Sequence, residues 1–423
     1  MGGIVTQNIA LARHNEDQRP RTLVILVATC LVAISCNSAT PQPESETDSS
    51  VRLEREFKVE EVLSDLWNPR GVGIDKDGAL VVAEAGLGED AEEHILRTGR
   101  VTRFFDRNSD GDFSDDGEAE RRLDHLISFN SVNKYETGRD EVSGASDVLV
   151  HTDGRTYFSL DGGIGDTGGN FTLIELDENG SLLREIPQDS NMTGIGFAPD
   201  QLSIYATQST LNQLIEISLF GHPSKEIATF DRLTSGQQAV PAGLGVDPRT
   251  GDILVALFSG VARAEGLACR FVSAVMCDGR YLPLIPTDSK IVRVDPRTGE
   301  SSDEITGLTA AVDVAVDSRG NVFTVEMAAD HAQLFHQGAD LFSSDIQTLH
   351  GGYLRYSGRV TMYPSDGGPE RVLAAGLDEP TNITIGPDGA LYVSTGQGTP
   401  GRPIPGPNGR TAIVGKIIRI TGY

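Results

Sequence analysis

Apolar and polar positions along this chain of 423 residues repeat as one short hairpin pattern. Each copy has a small or acidic residue, a short strand of apolar and small residues, a turn and a second apolar strand. Turn pairs such as Asp77-Gly78 and Arg319-Gly320 supply the positive φ angles of tight hairpins. Six copies occur, and they open at Gly71, Asp147, Gly194, Gly243, Asp313 and Asn382. This repetition predicts blades arranged around an axis.

A third strand follows each hairpin after a gap of variable length. These strands alternate apolar and polar residues, as half-exposed strands do, at residues 100–105, 172–176, 213–217, 290–294, 358–363 and 416–420. The last copy stops at its third strand, and a strand candidate at residues 55–60 precedes the first copy. We therefore predict an all-β fold, a six-bladed β-propeller over residues 55–423, in which the N-terminal strand completes the last blade and hides an edge. A β-sandwich is the alternative, which six copies in phase disfavour.

The N-terminal residues predict export. Three arginines precede an apolar run at residues 23–34, which fits a signal peptide and is short for a membrane span. The small residues before Cys36 resemble a bacterial lipobox. We predict a signal peptide over residues 1–36, lipidation of Cys36 and a disordered tether over 37–54, with the protein in the periplasm or on the cell surface. Ordinary cleavage near Ser38 is the alternative.

The charge balance limits the partners. The chain carries 61 acidic and 35 basic residues, a net charge of −26, so it has no basic footprint for nucleic acid. The same balance disfavours an anionic lipid surface, which leaves the lipid anchor as the expected membrane contact. The acidity fits either simple solubility or carboxylates that bind divalent cations.

Cys269 and Cys277 predict a loop disulfide in an oxidising compartment, with two free thiols as the alternative.

One acidic loop predicts a calcium site. The pattern D-x-N-x-D-G-D-x-x-D places side-chain oxygens at nearly every second residue around a glycine turn, and its candidate ligands are Asp106, Asn108, Asp110, Asp112 and Asp115. Ca²⁺ takes six to eight hard oxygen ligands, which such a loop can wrap around one ion. An acidic hairpin tip without an ion is the alternative.

The repeat also predicts four insertions, at residues 86–97, 106–142, 262–288 and 328–354. Function is often placed in such loops of a propeller.

A second candidate site follows from the phase of the repeat. The residues that open the inner strands and those that end the second strands share one mouth of the propeller, and the acidic and amide residues among them are Glu84, Asp147, Asp313, Glu326 and Asn382. Together they predict a second divalent metal at the centre or a carboxylate pair for acid–base chemistry. The alternative is that these side chains bond backbone N–H groups at the strand ends.

The repeats resemble a known family. Residues 68–72, 240–246, 257–260 and 307–315 are similar to the ScyD/ScyE family, secreted bacterial propellers related to NHL-repeat and gluconolactonase-type proteins. The resemblance implies a fold and a compartment more than a reaction, since most members have no assigned activity. The loop at Asp106 also resembles calcium loops of soluble quinoprotein sugar dehydrogenases, although the His/Arg set of those enzymes is not matched.

The expected function is therefore a binding one. We predict an exported, lipid-anchored, calcium-binding propeller that holds a small molecule or a protein at one face as a binding or accessory protein. A gluconolactonase-like hydrolase is the first alternative, with a central divalent metal that polarises a lactone or ester and is held by Glu84, Asp147, Asp313 and Asn382. A quinoprotein sugar dehydrogenase is the second.

Overall fold

The computed structural model of the protein describes residues 57–88, 95–130, 142–164, 171–258, 280–281, 286–329, 335–336, 355–398, 403–406 and 409–423. These residues form strands, turns and irregular segments, and they include no helix that could cross a membrane. Cys36, Cys269 and Cys277 lie outside the described residues, as do the signal peptide and the tether, so lipidation and the disulfide remain predictions.

The first half of the described chain forms one closing strand and three blades. Strand β1 (Lys58–Leu66) comes first, and blade 1 consists of β2 (Pro69–Ile74), β3 (Leu80–Glu84), β4 (Ile95–Phe104) and β5 (Ala119–Asn130), with the short β6 (Val142–Ser143) at its edge. Blade 2 consists of β7 (Ala145–Val150), β8 (Thr156–Leu160), β9 (Phe171–Leu176) and β10 (Leu182–Gln188). Blade 3 consists of β11 (Met192–Phe197), β12 (Ser203–Gln208), β13 (Gln213–Ser218) and β14 (Lys225–Thr229).

The second half forms three more blades and two small ribbons. Blade 4 consists of β15 (Pro241–Val246), β16 (Ile253–Leu257), β18 (Ser289–Val294) and β19 (Ser301–Leu308), and β17 (Arg280–Tyr281) precedes its third strand. Blade 5 consists of β20 (Ala311–Val316), β21 (Val322–Glu326), β23 (Gly358–Tyr363) and β24 (Arg371–Leu377), and β22 (Phe335–His336) pairs with β17. Blade 6 consists of β25 (Asn382–Ile385), β26 (Leu391–Thr395), β29 (Gly415–Thr421) and β1, and β27 (Pro403–Gly406) pairs with β28 (Gly409–Ala412).

The six blades close into a ring, which confirms the predicted propeller. Each inner strand contacts the inner strand of the next blade, from β2 through β7, β11, β15, β20 and β25 back to β2. Strand β1 pairs antiparallel with β29, with Lys58 opposite Thr421 and Leu66 opposite Gly415. The closing strand therefore extends further than the predicted residues 55–60, because its apolar residues Val62, Leu63 and Leu66 are buried. We call the end where the inner strands begin the top face and the opposite end the bottom face.

The core lies between the blades. Six apolar clusters fill the described interior, one at each boundary between neighbouring blades. On β3, Leu80 and Val82 pack toward blade 6, while Val81 and Ala83 pack toward blade 2. Because both faces of such a strand are buried, it has a continuous apolar sequence.

The gap at residues 106–142, predicted as an insertion, holds a blade strand. Strand β5 (Ala119–Asn130) occupies part of it and pairs with β4. The acidic segment Asp106–Asp115 is the turn between these two strands, so it lies on the bottom face. The other insertions that join second to third strands, at residues 86–97, 262–288 and 328–354, start and end at the top face.

Candidate functional site

Three of the five predicted mouth residues meet at the axis, just inside the top face. Asn382 donates from Nδ2 to Oδ1 of Asp147 at 3.1 Å and to Oδ2 of Asp313 at 2.9 Å. All three residues are buried, with Asp313 only 2% exposed. We call Asp147, Asp313 and Asn382 the axial triad. Asp147 and Asp313 are the third residues of their inner strands, and Asn382 is the first residue of its inner strand. These positions are equivalent in the repeat, which is why the three side chains meet.

The axial triad also bonds the blades to one another. Asp147 Oδ2 accepts from the N–H of Ile195 in blade 3 at 2.8 Å, and Asp313 Oδ2 accepts from the N–H of Ile383 in blade 6 at 2.8 Å. Asn382 Oδ1 accepts from the N–H of Val72 in blade 1 at 2.9 Å, which ties the last blade to the first. These bonds stabilise three blade boundaries near the axis. They are bonds to backbone N–H groups, as the alternative interpretation of the mouth residues predicts.

Glycine occupies the equivalent position in the other three blades because space is missing there. A Cβ on Gly71 would lie 2.6 Å from the carbonyl oxygen of Ser146 and 2.7 Å from Cα of Asp147. A Cβ on Gly194 would lie 2.6 Å from Cα of Gly243. The axis therefore holds polar side chains from blades 2, 5 and 6 only, and the glycines of the other blades let the strands approach closely.

The two carboxyl groups of the axial triad are electrostatically coupled. Burial raises the pKa of Asp147 to about 7, although the N–H groups of Ile195 and Val148 and the Asn382 amide favour its charged form. Burial, followed by the charge of Asp147, raises the pKa of Asp313 well above its usual value. Near neutral pH the pair therefore carries less than two full negative charges.

The remaining predicted mouth residues, Glu84 and Glu326, form a repeated ion-pair clamp. Glu84 accepts from Nε and Nη2 of Arg100, each at 2.6 Å, and from the N–H of Trp67 at 2.6 Å. Glu326 bonds Nε of Arg359 and accepts from the N–H of Thr309 at 2.8 Å. In both blades the arginine lies on the third strand directly opposite the glutamate, and the accepted N–H lies just before the inner strand. These two carboxylates thus brace the top of blades 1 and 5 and do not bond to the axial triad.

The clamps lie beside an unusual backbone corner that leads into four of the inner strands. The residue three positions before the repeat start has a positive φ at Asn68 (58°), Val240 (46°), Ala310 (50°) and Glu379 (46°). Such an angle is uncommon for a residue with a side chain and most unusual for β-branched valine. The carbonyl groups of Asn68, Val240 and Ala310 then accept from Ala85, Phe258 and Met327, which fixes the rim of the mouth.

The predicted calcium loop is a ladder of local hydrogen bonds on the bottom face. The carboxylate of Asp106 accepts from the N–H groups of Asp110 and Gly111, both at 3.1 Å. Asn108 donates from Nδ2 to Asp110 at 2.9 Å and to Asp115 at 2.5 Å. Partial desolvation, and then the charges of Asp110, Glu118 and Asp112, raise the pKa of Asp115. Over the described ranges, no group of three or more His, Cys, Asp or Glu side chains has the arrangement of a metal site.

An arginine that the sequence did not single out anchors the top of blades 5 and 6. The side chain of Arg355 is fully buried and forms a bidentate salt bridge with Asp378, in which each hydrogen bond is 2.7 Å long. It also donates to the carbonyl groups of Thr411 and Ala412, at 2.6 and 3.0 Å. Arg355 thereby ties the ribbon of β27 and β28 to the neighbouring blade.

The comparisons with known proteins leave the family open. No family model matches the chain, and no curated protein matches it. A putative oxidoreductase (glucose dehydrogenase) from Thermus thermophilus is 17% identical, with 86% of this chain and 100% of that chain covered and a TM-score of 0.45. A gluconolactonase from Xanthomonas campestris is 11% identical, with 86% and 90% covered and a TM-score of 0.47. A protein of carbohydrate-active enzyme family AA12 from Trichoderma reesei is 12% identical, with 87% and 96% covered and a TM-score of 0.49. At these identities and TM-scores no activity carries over, and the propeller fold rests on the strand pairing of the chain itself.

Proposed function

We propose that this protein is an exported, lipid-anchored, calcium-binding β-propeller of the ScyD/ScyE type that acts as a ligand-binding or accessory protein. The observation that carries the binding role is the hydrogen bonding of the axial triad. The carboxylate oxygens of Asp147 and Asp313 and the Asn382 amide are engaged by one another and by backbone N–H groups. Groups held in this way stabilise the ring and are not free to polarise a substrate.

The top face is the proposed ligand surface. The predicted insertions of blades 4 and 5 begin and end there, and β17 of the first pairs with β22 of the second. Long connections at one end of a rigid propeller are suited to shape a binding surface. The clamps at Glu84 and Glu326 hold the rim of that surface in place.

The loop at Asp106 is proposed to hold calcium for stability. Its oxygens are hard ligands of the kind that Ca²⁺ prefers, and desolvation followed by repulsion from the neighbouring carboxylates raises the pKa of Asp115. The amide nitrogen of Asn108 lies between the carboxylates of Asp110 and Asp115 and donates to both. Rotation of that amide by half a turn would present its oxygen to a cation between them, since the two ends of the amide have nearly the same shape.

The hydrolase alternative is favoured by one observation, the raised pKa of the two buried carboxyl groups. Groups with such shifts often mark active sites. In that case Asp147, Asp313 and Asn382 would be the residues that hold a divalent metal, and the metal would polarise a lactone or ester. The quinoprotein sugar dehydrogenase alternative has no such support in the described residues.

Calcium binding is tested by thermal unfolding of the purified protein with added calcium and with chelator. A ligand that binds only the folded state stabilises it by about 2.7 kcal/mol at a concentration 100 times the dissociation constant. We expect calcium to raise the melting temperature of the native protein and of Asp116→Asn, an exposed neighbour outside the ligand set. The rise should disappear in Asp115→Asn. No rise in the native protein would refute the loop assignment.

The choice between a binding protein and a hydrolase is tested at the axis. Metal analysis and lactone hydrolysis are measured for the native protein, Asp147→Asn and Asp313→Asn, after circular dichroism has shown that each variant is folded. The binding role predicts no lactone turnover in any of them and a metal content that both substitutions leave unchanged. Turnover that is lost in both variants together with one metal ion would establish the hydrolase instead.

A further inference from the structure

The bottom face has a cleft between blades 1 and 2, at the opposite end of the propeller from the mouth. Its volume is about 260 Å³. Blade 1 contributes its first hairpin turn and two outer arginines, Arg103 and Arg122, and blade 2 contributes His151 and the turn at Glu178. The cleft is smaller than the roughly 300 Å³ at which pockets for drug-sized ligands begin, so a ligand here would be small.

A β-bulge places Arg122 in this cleft. Val101 pairs with Leu123 and Thr102 pairs with Arg121, so Arg122 is an extra residue without a partner on β4. Bulges redirect side chains and are frequent beside binding and active sites. The guanidinium of Arg122 reaches blade 2, where Nη1 donates to the carbonyl oxygen of Glu178 at 2.6 Å.

Glycine at position 180 permits this close approach of the two blades. Gly180 has a φ of 84°, and a Cβ there would lie 3.0 Å from both Cδ and the carbonyl oxygen of Arg122. The side chain of Arg122 is only 5% exposed in this position. The chain thus buries a guanidinium at the boundary of two blades, which needs a compensating interaction.

Arg103 and Arg122 each have a hydrogen-bond donor for which the described residues provide no acceptor. The Nε atoms of Arg103 and Arg122 are buried and bond to no acceptor in the described ranges. Arg103 bonds Asp75 through Nη2, whereas the carboxylate nearest to Arg122, that of Glu120, lies 3.4 Å away and is half exposed. Burial lowers the pKa of Arg122, which agrees with a cation that is incompletely compensated.

Three of the four carboxylates that line the cleft, by contrast, already have donors, and the fourth belongs to Glu178. Asp75 accepts from the N–H groups of Asp77 and Ala79 as well as from Arg103. Asp77 accepts from Lys76, and Asp153 accepts from Arg155 and contacts His151. The unused capacity of the cleft therefore lies mainly on guanidinium donors, which favours a ligand that brings acceptor oxygens.

We propose that this cleft binds a small organic carboxylate, no larger than a monosaccharide acid, through Arg103 and Arg122. Guanidinium groups hold carboxylates with paired, charge-assisted hydrogen bonds. The polar groups around them, such as Asp153 and Asn179, can bond hydroxyl groups of the same ligand. The site is separate from the axial triad and from the loop at Asp106, so it does not depend on the function proposed above.

Isothermal titration calorimetry of the full protein with D-glucuronate tests this site, with D-glucose as the neutral counterpart and sulfate as an inorganic oxyanion. We expect glucuronate to bind one to one and at least tenfold more tightly than glucose. In Arg122→Gln the affinity should fall at least tenfold. Arg232→Gln should bind as the native protein does, because Arg232 is an exposed arginine that also bonds a single backbone carbonyl.

The competing outcomes are distinct. Binding of glucose as tight as that of glucuronate, no binding of glucuronate, or equal affinity in Arg122→Gln would each overturn the proposal. Sulfate that displaces glucuronate supports an oxyanion on the guanidinium groups, and sulfate that binds more tightly than glucuronate overturns the choice of a carboxylate. If Arg122→Gln does not fold, Arg122→Lys decides: it keeps the charge but loses the paired donors, and an unchanged affinity in this variant would refute the assignment.

Discussion

Gly243 and the carboxyl group of Asp313 compete for the same space beside the propeller axis. A Cβ on Gly243 would overlap Oδ1 of Asp313, the atom that accepts the N–H of Val314. The neighbouring Gly194 and Gly243 are similarly close to one another. The glycines of the repeat are therefore part of the axial network, since they leave the room that the axial carboxylates occupy.

Replacing Gly243 with alanine should destabilise the ring. The added methyl group must displace the Asp313 carboxyl, which would weaken its bonds to Val314, Ile383 and Asn382. Overpacking of a tight interior costs about 1–3 kcal/mol, and we expect the upper end of this range because hydrogen bonds are lost as well. Chemical denaturation measures the change. Gly368→Ala, in an exposed turn where the nearest atom belongs to the flexible Asp366 side chain, should be nearly neutral.

The two effects at Gly243 should also be coupled. In the double variant Gly243→Ala/Asp313→Gly the methyl group has room, so its cost should be smaller than in the presence of Asp313 by at least about 1 kcal/mol. A double-mutant cycle in which the two changes are additive would show that the carboxyl and the glycine do not share this space.

The axial carboxyl groups predict a stability that falls as the pH rises. The pKa of Asp147 is about 7 in the folded protein, against about 3.9 in an unfolded chain. The folded state therefore binds more protons between these values, so the stability from this group is complete below about pH 4 and is lost as the pH rises to about 7. Three pKa units correspond to at most about 4 kcal/mol, part of which Asp313 shares.

Unfolding free energies between pH 5 and 8 measure this slope. Groups with lowered pKa values do not contribute there. Burial opposes the charged form of Asp247, but hydrogen bonds from Arg249 and Arg293 and the charge of Arg249 outweigh it and lower the pKa of Asp247 to about 2. Asp147→Asn should flatten the slope, whereas Asp247→Asn should reduce stability across the range and keep the slope. A native protein that gains stability from pH 5 to pH 8 would contradict the raised pKa values.

The clamp of Glu84 carries its own reporter. Trp67 is the one tryptophan of the chain, and the guanidinium carbon of Arg100 lies 4.2 Å from its ring centroid. Glu84→Gln removes the charge that holds Arg100 in this position, so we expect the fluorescence emission of Trp67 to change. The stability should fall by about 2 kcal/mol, because hydrogen bonds to a buried charged group are lost.

Glu326→Gln is the matched control for that experiment. It breaks the equivalent clamp in blade 5, where Glu326 bonds Arg359 and the N–H of Thr309, and blade 6 separates that clamp from blade 1. The loss of stability should be similar, but the emission of Trp67 in the folded protein should not change. An emission change of equal size in both variants would mean that the signal reports global loosening and not the contact between Arg100 and Trp67.

The sequence predicted the first three strands of each blade but missed the outermost strand of blades 1 to 5, for a physical reason. Strands such as β3 are buried on both faces, so burial demands an apolar run that is visible in the sequence. Outer strands such as β19 (Ser301–Leu308) are mostly exposed and polar, and they form because the preceding strand offers a free edge. No periodic pattern marks them, which is also why the sequence predicts an insertion where β5 lies.

The site was predictable to a similar degree. The phase of the repeat correctly placed Asp147, Asp313 and Asn382 together, since equivalent positions of a radial repeat must converge. It also grouped Glu84 and Glu326 with them, but each of these glutamates is drawn to an arginine on the third strand of its own blade. The cleft at Arg122 depends on a bulge, and a bulge interrupts the alternation on which the sequence argument relied.

Relief of backbone strain at Val240 should stabilise the protein. Val240 has a φ of 46°. Its N–H donates to Oδ1 of Asn212 at 2.9 Å, and its carbonyl group accepts from the N–H of Phe258 at 3.1 Å. The left-handed region costs an L-residue about 1–2 kcal/mol, whereas glycine adopts it freely. Val240→Gly should therefore raise the free energy of unfolding by up to about 1 kcal/mol, after the lost side-chain contacts and the added chain entropy are subtracted. Val414→Gly, at an exposed valine without a positive φ, should lower it by about 1 kcal/mol. Equal losses in the two variants would show that the corner at Val240 stores no strain.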